Sequence, residues 1–135
     1  GIASNVKINN EGQKNSIYRN KKIKFSTPAF NFDEVFEIPK GATLLASDNI
    51  NKIMGIYFKS GNSEIWGLQY HPDYEYSQML SLSNERKDKM IANKNFKDEN
   101  DFQNHMNFIK DEDKKLDFKN RTCEVRNWLD IIKIR

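Results

Sequence analysis

His71-Pro72-Asp73 follows directly on the apolar run Ile65-Trp66-Gly67-Leu68-Gln69-Tyr70 and sets a proton carrier beside a carboxylate. An imidazole titrates near neutrality, so His71 could take up or release a proton, and Asp73 could fix the ring's tautomer and orientation. Pro72 fixes its own φ and drives His71 toward an extended conformation, which gives the imidazole a defined direction. A satisfied structural histidine fits the same residues. The rigid polar excursion favours chemistry, because α/β enzymes hold reactive side chains where buried strands emerge into solvent. No nucleophile stands beside the motif.

Other chemistries are poorly served. Cys123 is the only cysteine, so the chain has no internal disulfide and no thiolate metal cluster, and a reducing compartment is its natural setting. His71 and His105 are the only histidines, and neither lies in a metal-ligand spacing. No metal and no cofactor are expected. The net charge of +3 is small beside 22 basic and 19 acidic residues, which interleave over the second half. That pattern describes a solvated surface and not a nucleic-acid footprint. The one basic excess, Lys14, Arg19, Lys21, Lys22 and Lys24, lacks interleaved stacking aromatics and reads as a solvated loop. No signal-like or membrane-length apolar stretch occurs, and the first residue is Gly1. These features predict a soluble, cytoplasmic chain that begins in mid-protein, without membrane partners.

The elements that must position His71 are predicted as follows. Residues 1 to about 24 form a peripheral hairpin or irregular arm, with β-like pieces at Val6-Lys7-Ile8 and Ser16-Ile17-Tyr18 around the turn signal Asn9-Asn10-Glu11-Gly12. Thr27-Pro28 breaks the chain before an extended piece from Ala29 to Val35. Strands are expected at Ala42–Ala46, Ile53–Phe58 and Ile65–Tyr70, the last two joined by Ser60-Gly61-Asn62-Ser63 as an antiparallel hairpin. Apolar residues on both faces of that hairpin predict a sheet covered on both sides. Helical periodicity then takes over, from about Tyr74 to Asn93, at Phe102, Met106 and Ile109, and at Val125, Trp128, Leu129 and Ile132 with Asn120 or Thr122 as cap. The apolar stripes are expected to pack inward. The charged stretches Lys94–Asp101 and Lys110–Lys119 resemble linkers.

Gly67-Leu68-Gln69-Tyr70-His71-Pro72-Asp73 resembles the Gly-(Val/Ile/Leu)-Gln-(Phe/Tyr)-His-Pro-Glu signature of class I glutamine amidotransferase domains. Leu44-Leu45-Ala46-Ser47, Pro39-Lys40-Gly41-Ala42 and Asp33-x-Val35 resemble further landmarks of those domains in the same order. The tail Arg121-Thr122-Cys123-Glu124-Val125-Arg126-Asn127-Trp128-Leu129 is similar to the end of stand-alone amidotransferase-like proteins related to the glutaminase domain of GMP synthetase. The resemblance covers most of the chain and is weakest over the N-terminal arm. It implies an α/β fold, the C-terminal part of the flavodoxin-like domain, with a mixed sheet, antiparallel additions and a helical tail. Residues 1–93 would be the C-terminal part of the amidotransferase domain and residues 94–135 a helical extension.

In the family a cysteine within Gly-x-Cys-x-Gly attacks the side-chain amide of glutamine, and a histidine and a glutamate complete the triad. The resemblance makes His71 the base and acid, makes Asp73 the orienting carboxylate, and lays Phe30-Asn31-Phe32 along the bound glutamine. Two residues depart from the pattern: Asp73 is one methylene shorter than the usual glutamate, and Asn31 stands where many members have histidine. Cys123 has no elbow around it, so the nucleophile and the N-terminal half of the domain are expected outside this chain, which alone would be inactive. The implied substrate is glutamine, with ammonia passed to a synthetase or acceptor domain. A non-catalytic interaction or regulatory protein that keeps the fold is the competing expectation.

Overall fold

The computed structural model describes residues 1–31, 33–115 and 117–133. Two compact units emerge, one built from Ile2–Asp73 with Phe118–Arg135, the other from Tyr74–Asp117 with Gly1.

The first unit carries a five-stranded sheet formed by β1 (Ile2–Ile8), β2 (Lys24–Pro28), β3 (Thr43–Ser47), β4 (Gly55–Ser60) and β5 (Ser63–Leu68), in the order β2-β1-β3-β4-β5. Every pairing among the described residues is antiparallel. The parallel pairs expected of a mixed sheet are therefore not found among them. A parallel pair needs a long crossover, whereas β3, β4 and β5 follow one another through short turns. Gly61, at φ +58, closes the β4–β5 hairpin in the left-handed region.

The N-terminal segment is not a peripheral arm. β1 lies between β2 and β3 and buries Val6 and Ile8 in the main cluster with Phe25, Leu45, Ala46 and Met54. Asn9 does not make a hairpin turn; its side-chain oxygen accepts from the Gly12 N–H at 2.8 Å and caps the short helix α1 (Asn10–Lys14). A Cβ at Gly12 would stand 2.3 Å from the Leu45 carbonyl oxygen, so α1 approaches β3 closely only because that residue is glycine. Ser16–Tyr18 is a 3₁₀ turn and not a strand, with Ile17 and Tyr18 turned into the core. The segment after Thr27-Pro28 forms no strand among its described residues; the strand precedes it, as β2.

The β4–β5 hairpin is half-buried and not covered on both faces: Ile56, Tyr57, Phe58, Ile65 and Trp66 all keep some exposure. Tyr57 and Trp66 pair across the strands with ring centroids 5.4 Å apart.

The C-terminal helices of this unit are α5 (Phe118–Arg121) and α6 (Cys123–Lys133) if the helices are numbered along the chain. Thr122 lies between them, and its hydroxyl donates to the Phe118 carbonyl at 2.9 Å. The expected inward stripe is reversed. Trp128, Leu129 and Ile132 are exposed, and Cys123, Glu124 and Asn127 are the buried face. Asn127 explains the orientation, because its amide donates to the carbonyls of Ile17 (2.9 Å) and Arg19 (2.8 Å), polar groups that an apolar face could not satisfy.

In the second unit the helical stretch after Asp73 is two helices, α2 (Tyr76–Glu85) and α3 (Lys87–Ala92), separated at Arg86. The remaining helix, α4 (Glu99–Lys114), is capped by Asp98 through the Asp101 N–H at 2.9 Å and buries Phe102, Met106 and Ile109 as their spacing predicts. Residues 110–114, read as a linker, are its last turn.

Candidate functional site

β5 ends at Leu68, two residues short of the predicted strand, and the chain bends through Gln69 and Tyr70 before His71. The N-terminal side of the bend is fastened by the Gln69 N–H donating to the Met54 carbonyl at 3.0 Å. The His71 N–H donates to the carbonyl of Pro28, the last residue of β2, at 2.8 Å. The His71 side chain is 35 % exposed, and its Nδ1 stands 3.6 Å from an Asp73 carboxylate oxygen that is itself on the surface. That distance is within ion-pair range and beyond a hydrogen bond. Adjacent Pro72 is buried and its carbonyl accepts from the Arg121 guanidinium at 3.4 Å.

Asn31, which the family resemblance lays along the substrate, is hydrogen-bonded to the same bend. The Asn31 amide donates to the Gln69 carbonyl, and the Gln69 side-chain amide donates to the Asp33 carbonyl at 3.0 Å. Phe30 is half-buried. Pro28, Asn31 and Asp33 are thus tied to residues 69–71, which brings Asn31 to the segment that carries His71. Phe32 lies outside the described residues.

Beneath the bend lies a buried polar cluster that no sequence motif announces. The Tyr70 hydroxyl donates to the Glu124 carboxylate at 2.6 Å and lies 2.9 Å from the Tyr18 hydroxyl. The other Glu124 oxygen meets the Lys21 ammonium at 2.9 Å, with both side chains sealed from solvent. Lys21 also donates to the Asn120 carbonyl at 2.5 Å and sits 4.1 Å from the Phe25 ring centroid. Lys21 therefore does not belong to a solvated loop. Burial raises the pKa of both phenols, and the Glu124 charge adds to the rise at each. Gly55 makes this cluster possible, since a Cβ there would come within 2.4 Å of the Tyr18 hydroxyl.

Cys123 is buried at the start of α6, where its thiol donates to the Arg19 carbonyl at 3.1 Å. Burial pushes its pKa up, the opposite of what an attacking thiolate requires. His105 lies on α4 with its ring tilted against Phe96, and burial lowers its pKa. Among the described residues no group of three or more His, Cys, Asp or Glu side chains could hold a metal ion, and no helix is long and apolar enough to cross a membrane.

No family model matches the chain. Over 72 residues, 53% of its length, it is 33% identical to a gamma-glutamyl-L-1-hydroxyisopropylamide hydrolase from a Pseudomonas species, and the match covers 24% of that protein. Its backbone is similar to the crystal structure of a glutamine amidotransferase from Thermotoga maritima, with a TM-score of 0.65 and 20% identity over 94% of this chain and 49% of that one. The chain spans about a quarter of the length of the curated hydrolase and about half of the amidotransferase. The fold is accordingly the flavodoxin-like α/β fold of the latter, represented here by an antiparallel sheet with C-terminal helices.

Proposed function

We propose that this chain, the C-terminal portion of a class I glutamine amidotransferase-like domain, supplies the histidine and the acid of a Cys-His-acid triad that hydrolyses a γ-glutamyl amide, glutamine foremost. The observation that carries the reading is the His71 imidazole, partly open to solvent at the end of β5 and 3.6 Å from the Asp73 carboxylate. The similarity to a hydrolase of a γ-glutamyl amide supports the substrate class.

On this reading His71 takes the proton of a cysteine thiol, and the thiolate attacks the amide carbonyl. The imidazolium returns the proton to the departing ammonia. His71 then takes a proton from the water that attacks the thioester, and passes it to the thiol as glutamate leaves. Asp73, 3.6 Å from the ring, orients it and stabilises the imidazolium. Phe30 and Asn31 line the path of the glutamyl chain. The buried thiol of Cys123 is unsuited to the attack, so the nucleophile comes from sequence outside these 135 residues, and the chain by itself is inactive. The ammonia passes to an acceptor or synthetase domain, with no nucleic acid involved. A lone, buried cysteine suits a reducing, cytoplasmic setting.

The gap between His71 and Asp73 favours one competing reading, a protein that keeps the fold for interaction without catalysis. Glutamate release by the full-length protein decides between them. We expect His71→Ala to lower turnover by roughly 10⁴-fold and Asp73→Asn by roughly ten- to a hundredfold, both with the fold intact. Full activity in the His71→Ala protein would reject the catalytic role. A folded wild-type protein that hydrolyses neither glutamine nor other γ-glutamyl amides would establish the non-catalytic reading.

A further inference from the structure

We propose that Tyr70, anchored on the buried Glu124–Lys21 pair of α6 and the loop before β2, is a positioning residue that aims the His71 imidazole, so that the C-terminal helix sets the geometry of the proton carrier. The inference rests on the catalytic reading of His71. Its physical basis is a set of restraints on the residues around that histidine. Tyr70 is 3% exposed and points into the core, whereas the His71 side chain, next along the chain, is 35 % exposed and points out. Fixing one therefore constrains the other. The Tyr70 hydroxyl is held by Glu124 at 2.6 Å and its ring by an edge contact with Phe25 at 5.6 Å. On the other side of His71, the Pro72 carbonyl is bound by Arg121 of α5. The backbone of His71 itself is tied to Pro28.

Stability alone does not account for such a cluster. Two charges withdrawn from water recover little net energy from each other, and well-packed apolar side chains would stabilise the core at least as well. What the charges add is direction. A carboxylate locked by Lys21 accepts the phenol hydrogen along one line, and it holds the tyrosine to a single placement that apolar packing would not define.

In the full-length protein, Tyr70→Phe keeps the ring against Phe25 and removes only the hydroxyl. We expect kcat for amide hydrolysis to fall roughly tenfold with KM within about twofold, because the loss is one of aim and not of substrate binding. At fixed pH the ring resonances of His71, assigned by their disappearance in His71→Ala, should move, and those of His105 should not. The paired replacement Lys21→Met with Glu124→Leu removes the carboxylate that holds Tyr70 and, in a protein that remains folded, should reproduce the kcat loss. Unmoved His71 resonances in Tyr70→Phe would overturn the proposal. So would an unchanged kcat in a protein whose activity is lost on His71→Ala. Retained activity in His71→Ala would instead remove the catalytic reading, and the resonance comparison would still decide whether Tyr70 positions the ring. Should the paired variant fail to fold, the Tyr70→Phe protein alone decides between positioning and its absence.

Discussion

The phenols of Tyr18 and Tyr70 are uncharged groups packed against a buried carboxylate, and that makes the fold sensitive to alkali. Burial is the main reason that both titrate above the ordinary value near 10, and in the unfolded chain both would ionise close to that value. Below about pH 10 the two states carry the same phenol protons and the contribution to stability is complete. As pH rises further the unfolded state loses protons that the folded state keeps, so stability falls. The two phenols should make Tm drop steeply above about pH 10, beyond the shallower decline that the buried Cys123 thiol begins near pH 9, and Tyr70→Phe should flatten the steeper part. Thermal melts of both proteins across this range provide the check; equal slopes would mean that Tyr70 does not couple to the transition. His71 and Asp73 were legible as residues, because an imidazole and a carboxylate around a proline form a local pattern. Lys21, Glu124 and Tyr18 were not. A buried charge has no sequence signature of its own, and Lys21 among Arg19, Lys22 and Lys24 has the composition of a solvent-facing stretch.

Helix α6 shows the same difficulty one scale up. Its apolar positions Trp128, Leu129 and Ile132 read as a core stripe by spacing, and the helix instead docks through Glu124 and Asn127. The orphan carbonyls of Ile17 and Arg19 at the 3₁₀ turn decide this, and they are invisible until the turn is known. Helix α4 was legible because Phe102, Met106 and Ile109 obey the usual apolar rule. The β4–β5 hairpin was equally plain from its Gly61 turn. β2 was not, since Pro28 looks like a chain break and is in fact the end of a strand. It follows that α6 is held mainly by its polar face. We expect Asn127→Ala, which strands the buried Ile17 carbonyl and leaves that of Arg19 only the Cys123 thiol, to cost roughly 2 kcal/mol of stability, and Leu129→Ala on the exposed face to cost less than about 1 kcal/mol. Urea denaturation of the two variants measures both, and the reverse order would show that the apolar face carries the docking.

At the scale of the whole chain, the sheet of the first unit is unfinished in two physical senses. β5 and β2 each have one described strand neighbour, so each is an edge of the sheet. The faces of β4 and β5 keep half-exposed aromatic and branched residues, and Phe36 (91% exposed), Ile50 (84%), Trp128 and Ile132 add apolar surface elsewhere. Monomeric proteins rarely present this combination. Residues 1–135 produced alone should therefore self-associate at micromolar concentration, and sedimentation velocity would register this as species heavier than 15.9 kDa. Charged replacements at Trp128 and Ile132 should shift that distribution only in part, because the strand edges remain. A monomer that melts in a single cooperative transition would refute this, and would mean that the half-buried β4–β5 face is stable in water without further cover.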